Sequence, residues 1–313
     1  MLTHNEDIPR VPFSFLGTPP EEGGLAEAGV ALLPVPYDGT VTFRAGAREG
    51  PRAIIEASLH LEDYDPELDA DPSQVGIHTS PFLEPAFGAP EEMVERVRLA
   101  VRELAQGGRL VGLLGGEHSI AIGGVRALQE LYPGLSVLFL DAHADLRHRY
   151  LGTTLGHASV ARRIWEQCPL VQVGVRSLSL EERDFIRENG ISCLMATESG
   201  PGGDALERIL SALPPRVYVS IDLDVLDPSL MAAVGTPEPG GLAWRELLAI
   251  LRGVAGERQV VGFDVSELCP GEGPASCAYT AAALVYKLIG YSTLPYHRGG
   301  RGRRSVQSER NRG

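Results

Sequence analysis

The chain has 313 residues, 43% of them hydrophobic, which is enough to bury a sizeable core in one large α/β domain or two small ones. A formal net charge of −13 argues against nucleic acid as a partner of the folded body, and no apolar run approaches the length of a membrane-spanning helix. The four cysteines include no C-x-x-C pair, which argues against a thiolate zinc site or a disulfide framework; reduced thiols in a cytosolic protein with no secretory signal are expected.

Residues 1–28 are rich in Pro, Gly and Glu and are expected to wrap the surface. From residue 30 onward, short apolar runs alternate with segments of helical period. Strands are expected at 30–35 (VALLPV), 110–114 (LVGLL), 136–140 (SVLFL), 170–175 (LVQVGV), 191–195, 216–221 (RVYVSI) and 259–263 (QVVGF). Such near-continuous apolar runs mark strands covered on both faces, as in a parallel sheet. Between them, 91–106 sets Val94, Val97, Val101 and Leu104 on one stripe and stops at Gly107-Gly108. Ser179 and Glu182 have the spacing of a capping box for the next helix, and 243–255 and 277–290 are two more helices. The alternation has no linker in its middle. It indicates an α/β fold: a single doubly wound domain, 29–296, with a mostly parallel sheet flanked by helices. The segment 297–313 carries six arginines, one glutamate and four glycines, and is expected to be a disordered basic tail.

Three of these strands run straight into ionisable side chains. SVLFL leads into DAHAD, where Asp141 and His143 stand at i and i+2 and project to one side; Asp145 joins them if the loop curls back. YVSIDLDVLDPS repeats the device with Asp222 and Asp224. LVGLL ends in GGEHSI, where two glycines make a tight turn and present His118 before a helix. Open parallel sheets bind ligands at the carboxyl ends of their strands, so all six residues are expected at one site. Four crowded carboxylates would repel one another and raise their pKa values unless cations neutralise them. Four negative charges match two divalent ions, and mixed imidazole and carboxylate donors suit Mn²⁺ or a similar metal. A pair of such ions yields a nucleophile from water at neutral pH. A lone D-x-D at a strand end is most often a turn or a cap; its repetition beside a glycine-flanked histidine favours the metal site. A calcium loop starting at Asp222 fails the EF-hand pattern, with Leu226, Asp227 and Ala233 at positions that need other residues. Asp227, before Pro228, reads as a turn former.

GGEHSI, DAHAD, SIDLDVLDPS and GTPEPGG, in that order and spacing, resemble the ureohydrolases, the family of arginases and agmatinases; PYDGTVTFRAGAREGPRAI at 36–54 belongs to the same likeness, which runs to about residue 290. The resemblance implies an arginase-like three-layer α/β/α domain holding two Mn²⁺ per subunit. His118, Asp141, Asp145 and Asp222 would bind one ion. Asp141 and Asp222 would bridge to the second, which His143 and Asp224 complete. Asp145 would relay a proton, His157 of LGHASVARR would shuttle protons to solvent, and Glu267 of GFDVSEL would grip the guanidinium. Thr236 of GTPEPGG would hydrogen-bond near the substrate, Asp264 would support the site from behind, and Glu238 is a candidate for the substrate's distal amine. Without the likeness, His157 and Asp264 read equally well as caps, whereas Thr236 reads better as a turn residue beside Pro237, and Glu267 and Glu238 read better as solvated loop charges.

The implied reaction is hydrolysis of a small cationic guanidino compound to urea and an amine. The loop LRHRYLGTTLG and the segment VRSLSLEER lack the groups with which arginases hold an amino acid, whereas GTPEPGG and GHAS are agmatinase-like. Agmatine, giving putrescine, or aminopropylagmatine, giving spermidine, is therefore favoured over guanidinobutyrate or arginine. Glu117 stands where the family commonly has Asp, and Val234 where Thr or Pro is expected. The other readings are a non-catalytic metal-binding regulator on the same fold and a single-zinc amide deacetylase. The likeness also implies a homo-oligomer, a trimer or hexamer.

Overall fold

The computed structural model describes residues 11–19, 23–198 and 204–294. Eight parallel strands form one sheet: β1 (Val30–Val35), β2 (Ile77–Thr79), β3 (Leu110–Gly115), β4 (Leu135–Leu140), β5 (Leu170–Val175), β6 (Ser192–Met195), β7 (Arg216–Asp222) and β8 (Gln259–Ser266). Their spatial order is β2-β1-β3-β8-β7-β4-β5-β6. The helices are α1 (Gly50–Ser58), α2 (Pro90–Leu104), α3 (Ile120–Leu131), α4 (Val160–Trp165), α5 (Leu180–Asn189), α6 (Ala205–Ala212), α7 (Trp244–Glu257) and α8 (Ser276–Thr293).

Strands β1, β3, β4 and β5 are buried at every position, because each face of the sheet carries its own core. Within β4, Leu138 and Leu140 join the cluster formed with α1, α6, α7 and α8, while Val137 and Phe139 face α2, α3 and α4. This is the three-layer α/β/α arrangement that the sequence predicts. Helix α2 buries Val94, Val97, Val101 and Leu104, and Ser179 and Glu182 complete a reciprocal capping box on α5. Strand β2 goes beyond the sequence reading: it has only three residues, and its place comes from pairing Val30 with Ile77 at the sheet edge.

The N-terminal stretch does not lie wholly on the surface. Phe15 is fully buried, with its N–H donated to Thr79 Oγ1 at 2.9 Å. The Arg-rich tail, 297–313, lies outside the described residues, as do 1–10. Among the described residues no helix is long and apolar enough to cross a membrane.

Candidate metal centre

The four central strands, β3, β8, β7 and β4, are far apart in sequence but level at their carboxyl ends. Leu140 pairs with Ile221, Asp222 with Ser266, and Leu114 with Val265. The residues that follow these pairs therefore meet above one edge of the sheet. His118 Nδ1 lies 3.1 Å from Asp141 Oδ2, 3.5 Å from Asp222 Oδ2 and 3.8 Å from Asp145 Oδ2. His143 Nδ1 lies 2.9 Å from Asp224 Oδ2 and 3.5 Å from Asp141 Oδ1. Two potential ligand clusters result, His118–Asp141–Asp145 and Asp141–His143–Asp224, sharing Asp141. Asp222 sits beside the first, and its Oδ1 accepts the Asp224 N–H at 2.8 Å.

Backbone and neighbours aim these donors. Asp145 has φ 50°, a left-handed conformation rare for a non-glycine residue. It is held there because its carbonyl accepts from Arg162 N and the Leu146 N–H reaches Glu182 Oε1. His118 Nε2 lies 2.8 Å from Ser220 Oγ, and the ring stacks on Phe139 at 4.6 Å. With Nε2 donating to Ser220, Nδ1 turns its lone pair to the carboxylates, as a metal ligand requires. Asp264, fully buried, lies 3.7 Å from the same Nε2 and accepts from Ser266 Oγ at 3.1 Å.

The donor set fits dications. Asp141, Asp145, Asp222 and Asp224 are all buried. Burial, then neighbouring Asp141, holds Asp145 well above the usual carboxylate range; burial, then Asp224 and Asp141, does the same to Asp222. Ionising all four at neutral pH calls for positive charge among them. Imidazole and carboxylate oxygen without thiolate is the chemistry of Mn²⁺-like ions.

A cavity of about 300 Å³ opens above, lined among others by His118, His143, Asp145, Asp222, His157, Thr236 and Glu267. Glu267, at φ 69°, is pinned by two contacts with the β3 turn: its N–H donates to the Gly116 carbonyl, and its Oε1 accepts from His118 N at 2.7 Å. Burial and then Glu117 push its carboxyl up to about 8, an effect that a guanidinium cation alongside would reverse. His157 stands between Thr40 and Thr42, and burial pushes its imidazole down. Thr236 Oγ1 lies 3.4 Å from Asp224 Oδ2. Glu238 is not on the cavity wall; its carboxylate lies 3.8 Å from His143 Nε2. Asp227 makes the expected turn, accepting from Ser229, Gly240 and Gly241 N–H groups.

Sequence reasoning passes over three groups at this site. Ser220 orients His118. Arg176 donates to the carbonyls of Asp224 (2.7 Å) and Glu238 (2.8 Å), tying together the two loops that flank His143. Thr40 bridges Glu117 and His157. PYDGTVTFRAG marks the Thr40 loop, but contacts to backbone carbonyls 48 and 62 residues away leave no local pattern for Arg176.

Residues 28–290 match the model of the arginase family. An N(1)-aminopropylagmatine ureohydrolase of Thermus thermophilus is 42% identical over 269 residues, covering 86% of this chain and 92% of that protein. An agmatinase of Pyrococcus horikoshii is 38% identical over 277 residues, covering 86% and 93%. The crystal structure of the agmatine ureohydrolase of Thermoplasma volcanium superposes with a TM-score of 0.82 at 28% identity, covering 92% of this chain and 96% of that one. With the family model spanning most of the chain and the sheet ends gathered as described, this protein belongs to the arginase family.

Proposed function

We propose that the protein is a dimanganese ureohydrolase that releases urea from agmatine or aminopropylagmatine. The observation that carries this reading is the sharing of Asp141 by two His/Asp clusters, beneath a cavity walled by Glu267 and His157. When bound, two dications supply Lewis acidity and an activated water at neutral pH. His118, Asp141, Asp145 and Asp222 would hold one ion, and Asp141, Asp222, His143 and Asp224 the other.

Glu267 binds the guanidinium through a charge-assisted contact and sets its carbon over the cluster. Asp145 accepts the proton of the attacking water and delivers it to the leaving nitrogen. His157 exchanges protons with solvent. Guanidinium and water thus give urea and an ammonium product, with charge and protons conserved. Two arginines stand on the cavity wall: Arg44 Nη1 pairs with Glu272 at 3.0 Å, and Arg147 rests on the Tyr150 ring at 4.9 Å. The likeness to an aminopropylagmatine ureohydrolase and to an agmatinase favours an amine-tailed guanidine over guanidinobutyrate or arginine.

The test is urea release by Mn²⁺-loaded protein from agmatine, aminopropylagmatine, guanidinobutyrate and arginine in parallel. The highest kcat/KM is expected with one of the first two. Release of no urea from any of the four would sink the proposal.

A further inference from the structure

The turn after β3 brings a second buried carboxylate next to the site, and it binds no candidate metal ligand. Gly116 lies flat against Tyr37, where a Cβ would collide with the Tyr37 carbonyl. The Glu117 N–H donates to that same carbonyl at 2.7 Å. This close approach delivers Glu117, fully buried, to the loop that carries Thr40. Glu117 Oε2 accepts the Thr40 N–H at 2.6 Å, while Oε1 accepts the Thr40 hydroxyl at 2.6 Å and the Ser119 hydroxyl.

A hydroxyl has one hydrogen and two acceptor sites. The hydrogen of Thr40 Oγ1 is committed to Glu117. One acceptor site takes the His157 backbone N–H at 3.0 Å. The remaining site faces His157 Nδ1 at 3.4 Å. Since Thr40 has no hydrogen left to offer, Nδ1 must be the donor. The neutral imidazole then carries its proton on Nδ1 and its lone pair on Nε2, which meets only the exposed Thr42 hydroxyl at 3.3 Å. We propose that Glu117, acting through Thr40, is a positioning residue that fixes the tautomer of His157, so that protons enter and leave at Nε2. This rests on His157 being the group that exchanges protons in the proposed reaction.

The test combines a spectroscopic with a kinetic readout. The ¹⁵N resonances of His157 are read in the histidine-labelled full chain before metal loading, and are identified by their loss in His157→Asn. The native chain is expected to show a protonated Nδ1 and an unprotonated Nε2. Thr40→Val is expected to give a mixture of tautomers. Once loaded with Mn²⁺, the same variant should lose roughly 10–100-fold in kcat, with KM and bound metal unchanged. Thr40→Ser keeps the hydroxyl and should restore both readouts. Glu117→Gln can keep accepting the Thr40 N–H only by turning its amide N–H to Thr40 Oγ1. The hydroxyl then swings to Nδ1, and the proton moves to Nε2. A native His157 protonated on Nε2, or a Thr40→Val variant with the native tautomer, would overturn the proposal. The Thr40 pair decides the matter even if Glu117→Gln does not fold. A chain that releases no urea would refute the enzymatic reading and leave the tautomer assignment to be judged by its spectrum alone.

Discussion

Asp141 offers one oxygen to each imidazole, Oδ2 to His118 at 3.1 Å and Oδ1 to His143 at 3.5 Å, while Asp222 lies 3.5 Å from the same nitrogen of His118. His157 lines the cavity but belongs to neither cluster. The two kinds of residue should therefore fail differently. Asp222→Ala should lose bound Mn²⁺ and turnover together, as seen by metal analysis beside a urea assay. His157→Ala should keep its metal and slow by roughly 10²–10⁴-fold, the usual worth of a general acid–base group. An Asp222→Ala variant with full metal content and native turnover would refute the ligand assignment. The paired carboxylates were legible because i, i+2 spacing at a strand end is a purely local signal. The curl that brings Asp145 back was not, since its φ of 50° is imposed by bonds to Arg162 and Glu182 from other elements. Ser220 and Thr40 escaped for a related reason: they are neutral hydroxyls, 102 and 117 residues from the imidazoles they face.

The strands were legible from their apolar runs, and the errors lie at their ends and at the sheet edge. Strand β8 runs to Ser266, beyond the expected 263, because Asp264 and Ser266 stay in the ladder as buried polar residues that hydrogen-bond each other. A polar residue reads as a strand end only when its partner is unknown. Strand β2 is too short for any periodicity to show. The loops after β5 and β7 are joined by Arg176, which also reaches the carbonyls of Gly174 and Val225. One guanidinium fork serves several carbonyls here, a geometry that a lysine ammonium cannot reproduce. Arg176→Lys should therefore destabilise the chain by about 1.5–3 kcal/mol, the scale of hydrogen bonds to a charged group. It should also weaken binding of the ion that His143 and Asp224 would hold more than of the one that His118 would hold. Calorimetric unfolding and stepwise Mn²⁺ titration read the two effects. Equal weakening of both ions would mean that Arg176 does not act through Asp224.

Across the whole molecule, burial governs how the chain responds to pH and to metal. Burial pushes the thiols of Cys168, Cys193 and Cys269 up to about 12. Between about pH 9 and pH 12 the unfolded chain releases these protons and the native chain keeps them. The unfolded state then binds fewer protons, so stability falls as pH rises through that window. Native protein at pH 8.5 should accordingly resist iodoacetamide until denatured, which mass spectrometry would show; rapid labelling of the folded chain at all three would refute it. Metal acts in the opposite direction. The carboxylates it would bind stand at the ends of β4 and β7, with His118 after β3, so their mutual repulsion bears on the central strands rather than on a peripheral loop. An ion that binds only the native state stabilises it by about 2.7 kcal/mol per site at a hundredfold excess over Kd. Chelation should thus lower Tm, and added Mn²⁺ should restore it in a concentration-dependent way. Asp222→Ala should flatten that dependence, because it removes binding and repulsion together. A native chain whose Tm ignores both chelator and Mn²⁺ would mean that the buried carboxylates are neutralised by protons alone.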